Sequence, residues 1–93
     1  MPRFFLATLM LLIAAACPVQ AKDDGLINAG KILFEDNCIE CHGEDAKSGD
    51  SGDIRDADLQ QVTMATGGFE TMPDFEFERE TIEALVAYLN SLQ

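Results

Sequence analysis

Ninety-three residues allow one domain and no second core of useful size, which excludes a multi-domain enzyme. Six Lys and Arg stand against 17 Asp and Glu, a formal net charge of −11 that would repel a stripe of phosphates and argues against nucleic acid as a partner. The same acidity disfavours polybasic attachment to anionic lipid and fits a partner with a basic patch.

The chain opens on an address. Arg3 gives a positive start, Phe4 to Ala16 carries no charge, and Val19-Gln20-Ala21 places small residues at the −3 and −1 positions of a cleavage site after Ala21. Residues 1–21 therefore read as a secretory signal peptide that is removed, leaving 22–93 as the exported domain in the periplasm. The uncharged run is shorter than the roughly 18 residues of a membrane span. Ala14-Ala15-Ala16-Cys17 also resembles a bacterial lipobox without its usual Leu, so lipidation at Cys17, or an uncleaved signal, would be the route to a membrane.

Of the 44 apolar residues, 16 fall in the first 21 positions, leaving 28 in the remaining 72. That is lean, and domains of this size usually need a staple such as a disulfide, a metal or another crosslink.

Ile27, Ile32, Leu33 and Phe34 predict a short helix over 26–36. Gly30 shares a face with Phe34, and a helical Gly suggests the close approach of another backbone. From Gly43 to Asp58 the chain holds three Gly, two Ser and six Asp or Glu around Ile54, a loop held by something other than its own core. Leu59 to Thr66 predicts a second helix with Leu59, Val62 and also Met64 inward, stopped by Gly67-Gly68. Met72-Pro73 stiffens the segment that follows. Ile82, Leu85, Val86, Leu89 and Leu92 then recur at helical spacing, predicting an amphipathic helix over 79–91. No alternating strand pattern is present, so the fold class is all-α.

Cys38-Ile39-Glu40-Cys41-His42 carries the chemistry, with the C-x-x-C-H spacing of c-type haem attachment. Two thiols three residues apart each add across one vinyl group, and the adjacent His brings its imidazole beneath the iron. Three other readings compete. A structural zinc site needs four ligands, and the exported chain has no further Cys or His. A thioredoxin-like C-x-x-C belongs near a βαβ pattern that is missing here. A plain disulfide leaves His42 and the thin core unexplained. A covalently held haem also supplies the apolar plate that the core lacks.

With no second His, Met is the natural sixth ligand, and the exported candidates are Met64 and Met72. Met64 falls on a predicted helix; Met72 falls in a loop far enough beyond His42 to pass around the haem edge. Met72 is the favoured choice, and a thioether there favours Fe(II).

In this order, Gly30, Phe34, Cys38, Cys41, His42, Gly43, Met72-Pro73 and the helix with Leu85, Tyr88 and Leu89 resemble the small bacterial monohaem class I cytochromes c. The resemblance implies a cytochrome c-like fold of three to four short helices around one haem c per chain, with Gly30 and Phe34 crossing the last helix near Leu85 and Tyr88. It implies Cys38 and Cys41 as attachment points, His42 as proximal ligand and Met72 as distal ligand. The function it implies is a soluble periplasmic one-electron carrier, not an enzyme, with no substrate bound at iron. A five-coordinate sensor or peroxidase-like protein, and a dedicated electron-transfer subunit of one dehydrogenase or oxidase, are the alternatives.

Two departures from that family stand out. Many members place a Pro about a dozen residues after the His, whose carbonyl orients the imidazole, whereas Gly52-Asp53-Ile54 stands here. Another backbone carbonyl is expected to accept from His42 Nδ1. The segment between His42 and Met72 is also short, and Arg55 within it is either a partner for a haem propionate or a solvated loop cation. Phe69, Phe75, Ile54, Leu59 and Val62 are expected to line the haem cavity.

Overall fold

The computed structural model describes residues 19–93, which form α1 (Val19–Asn37), α2 (Ile39–His42), α3 (Leu59–Thr66) and α4 (Arg79–Ser91). Among the described residues the only extended pairing is an isolated antiparallel bridge between Gly67 and Asp74, so the architecture is all-α. The leader read over residues 1–21, with Cys17, lies outside the described residues apart from Val19–Ala21, which open α1. No helix among the described residues is long and apolar enough to cross a membrane.

The two long helices form the scaffold. Phe34 of α1 is almost fully buried, and its ring sits 5.6 Å from that of Tyr88 on α4 at 49°, a tilted pair of the kind aromatic quadrupoles favour. Gly30, one turn earlier, is where the two backbones meet: a Cβ there would come within 2.6 Å of the Ala84 carbonyl carbon and 2.8 Å of Tyr88 Cβ. Only a residue without a side chain permits that approach. Ile82, Leu85 and Leu89 complete the core from the apolar stripe of α4. Helix α1 begins seven residues earlier than the expected Leu26, because nothing in Lys22 to Gly25 breaks a helix strongly enough to stop it.

Helix α3 keeps its expected bounds through a reciprocal capping box. The Asp58 carboxylate accepts from the Gln61 amide at 2.8 Å, and Gln61 Oε1 accepts from the Asp58 amide at 2.9 Å. Val62 and Thr66 point inward, but Met64 is 54% exposed, correcting the expectation of an inward Met64. Leu59 and Val62 already fill the inner face three residues apart, which turns the position two beyond Val62 outward.

Candidate functional site

Helix α1 ends into the motif. The Cys38 amide donates to the Phe34 carbonyl at 2.8 Å, and the His42 amide donates back to the Cys38 carbonyl at 3.0 Å, so residues 38–42 form a single turn anchored to the end of α1. That turn places Cys38 half-buried, Cys41 exposed and His42 buried. Both thiols are free. Burial, with Cys41 beside it, pushes the Cys38 thiol up to about 11, so it stays a neutral thiol at physiological pH. Burial likewise lowers the His42 pKa and favours the neutral imidazole, the form in which a His ligates metal.

The following loop curls under His42. Its first turn is made by Asp45, whose carboxylate accepts from the amides of Lys47 and Ser48 at 3.0 Å each. These bonds hold the Asp45 carboxyl below the usual carboxylate range, the Lys47 amide contributing most. Ala46 is fully buried in the left-handed region at φ 62°, a conformation that costs an L-residue about 1–2 kcal/mol and is held by its neighbours. The Gly49 amide reaches back to the His42 carbonyl at 3.2 Å, and a Cβ on Gly49 would come within 2.6 Å of His42 Cα.

This loop does not supply the expected carbonyl for His42: Nδ1 is buried without a hydrogen-bond partner.

A cavity of about 220 Å³ opens beside the motif, with walls that are mostly apolar. Phe34 and Cys38 border it from the end of α1, His42 from α2, Ile54 and Ala57 from the loop, Val62, Ala65 and Thr66 from α3, and Leu85 and Leu89 from α4. Met72 completes the lining from the segment after α3. That segment is a short closed loop: the Gly67–Asp74 bridge and a 2.9 Å bond from the Phe75 amide to the Thr66 carbonyl pin its base, and the Met72 amide donates to the Phe69 carbonyl at 3.0 Å.

Cys38, His42 and Met72 thus border one cavity, while Cys41 and Met64 do not line it. Of the five apolar residues expected around the cavity, Ile54 and Val62 line it. Leu59 packs on the core instead, Phe69 is 48% exposed, and Phe75 stacks on Phe77 with ring centroids 4.9 Å apart. Thr66 is a lining residue that the sequence reading missed. Its hydroxyl is satisfied by the Val62 carbonyl at 2.8 Å, so it presents little free polarity, and only its place one turn beyond Val62 signalled it.

Among the described residues no group of three or more His, Cys, Asp or Glu is arranged to hold a metal ion. Beside the Cys38 thiol, the cavity lining carries one imidazole and one thioether, His42 and Met72, a pair suited to iron that is held in a macrocycle. An apolar slot among short helices, with a C-x-x-C-H turn on one wall, defines a c-type cytochrome. A family model described as cytochrome c oxidase, cbb3-type, subunit III matches residues 25–89, and the chain belongs to that family. No curated protein and no solved structure matches it. Membership implies haem c and chemistry of the electron-transfer kind.

Proposed function

We propose that the protein is a periplasmic one-electron carrier with a single haem c, held by thioether bonds from Cys38 and Cys41 and ligated by His42 and Met72. The observation that carries this reading is that His42 of α2 and Met72 of the loop after α3 border the same apolar cavity beside Cys38. The bound group supplies an Fe(III)/Fe(II) couple. The chain does the rest: the turn at 38–42 orients the imidazole, the pinned loop at 67–75 presents the thioether, and α3 and α4 exclude water from between them. With His42 and Met72 both holding the iron, the group would offer no free position to a substrate, and relay rather than catalysis would be the role. The acidic surface suits partners with a basic docking patch.

The test is exogenous ligand binding to the exported, haem-loaded protein. Wild type is expected to resist CO in the reduced state and to show methionine ligation when oxidised; Met72→Ala binds CO rapidly, and Met64→Ala behaves as wild type. Equal, rapid CO binding by wild type and Met72→Ala would establish the five-coordinate alternative.

The family match also favours a second reading, a dedicated electron-transfer subunit of an oxidase. Co-purification with a haem–copper complex, lost at high salt, distinguishes that from a freely diffusing carrier.

A further inference from the structure

The loop between Asp53 and Ala57 is a partition. On its inner side Asp53, Ile54, Asp56 and Ala57 border the apolar cavity that His42 enters. On its outer side Asp53, Arg55 and Asp56, with Gln93, line a separate polar depression. Asp53 and Asp56 belong to both, so this loop is the wall between them.

Only Ile54 and Ala57 pack this loop against the core, and Ile54 is its one large apolar side chain. Most of its fastening comes from the outer side. Arg55 Nε and Nη2 donate to the two carboxylate oxygens of Asp53 at 2.8 and 2.7 Å, while Nη1 donates to the Leu92 carbonyl at 3.1 Å. The Arg55 carbonyl accepts in turn from Asn90 Nδ2 at 2.8 Å and Gln93 Nε2 at 2.9 Å, and Asn90 Nδ2 also reaches the Ala57 carbonyl at 3.2 Å. The contacts run both ways: Arg55 caps the Leu92 carbonyl just past the end of α4, while the Asn90 and Gln93 side chains donate back to carbonyls of the loop.

We infer that Arg55 is a positioning residue: with Asp53, Asn90 and Gln93 it latches the end of α4 to the 53–57 loop and keeps the His42 side of the haem cavity dry. The inference rests on the haem reading above. A planar guanidinium is needed because three of its donors are used in two directions at once, which an ammonium on a flexible stem cannot reproduce. Opening the latch joins the cavity to the outer depression. Water there solvates the more highly charged oxidised centre and lowers its reduction potential.

The experiment uses the haem-loaded protein with Arg55→Lys, which keeps the charge, and Asn90→Ala, which leaves the guanidinium intact. Hydrogen exchange is read at the Ile54 and Ala57 amides, which donate to Ala46 and Ile54 carbonyls at 3.0 and 3.2 Å. Arg55→Lys should speed exchange at both by about tenfold, as the loss of one charge-assisted bond predicts, and lower the potential. Asn90→Ala should move both readouts the same way, by less. Exchange and potential unchanged in both variants, or a lowered melting temperature with an unchanged potential, overturns the inference. The exchange readout does not require methionine ligation, so a failure of the proposed ligand set and a failure of the latch are separately visible.

Discussion

The α1–α4 pair and the 43–58 loop hold the site from opposite sides by different means. The helices do it with buried apolar surface: Phe34, Leu85 and Leu89 are each no more than 3% exposed, and they meet where Gly30 lets two backbones touch. The loop does it with backbone and polar side-chain bonds, from the Asp45 turn through the Gly49 and Ile54 amides to the Arg55 latch. Apolar packing is forgiving of direction, whereas hydrogen bonds are not. The helical side therefore supplies stability and the loop side sets the geometry around His42.

That division can be broken by mutation. The largest loss is expected for Leu85→Ala, which empties a core position that also lines the cavity; about 2–5 kcal/mol should be lost in denaturant unfolding. Gly49→Ala comes next, at about 1–3 kcal/mol, because its Cβ would displace the His42 backbone. Unlike Leu85→Ala it should also change the haem spectrum, and an unaltered spectrum would erase the distinction between the two sides. Asp58→Ala removes the acceptor of the α3 capping box and should cost about 1 kcal/mol with no spectral change.

The smallest effect is one of acidity. Arg55 holds the Asp53 carboxyl well below its ordinary 3.8, through the side-chain bond first and the Arg55 amide second. As pH falls, the unfolded chain takes up that proton before the folded one does. The contribution of the pair is therefore whole above about pH 5 and is lost as pH falls through 3.8 toward the folded value. Asp53→Asn should be slightly less stable than wild type at neutral pH and should lose the difference in acid. Asp53 is exposed, so solvent screening keeps this difference small. A difference that persists undiminished in acid would remove the pair from the account.

Periodicity and spacing made much of this molecule legible. The stripe of α4 gave its bounds at Arg79 and Ser91, and Gly67-Gly68 marked the end of α3. Gly30 announced a close approach before the partner helix was known, because a Gly in a helix costs about 1 kcal/mol and needs a reason. The C-x-x-C-H turn was legible because the Cys, Cys and His that carry the motif are local, within five residues. The start of α1 was not, since Lys22 to Gly25 neither favours nor stops a helix strongly.

The sequence by itself determined the helical class and the C-x-x-C-H turn, which rest on near neighbours or on a repeating apolar face, while the pairing of α1 with α4 came only from the resemblance to a family. Only the tertiary structure decided that Met72 borders the cavity and Met64 faces outward, that His42 Nδ1 finds no carbonyl, and that Arg55 fastens to the end of α4. Met64 apart, these outcomes depend on where an irregular loop lies relative to residues distant in the chain, up to 38 positions in the bond from Gln93 to Arg55. Loops of Gly, Ser and Asp carry no periodic signal that would fix such a meeting, so the hydrogen bonds that fix it appear only once the chain is folded.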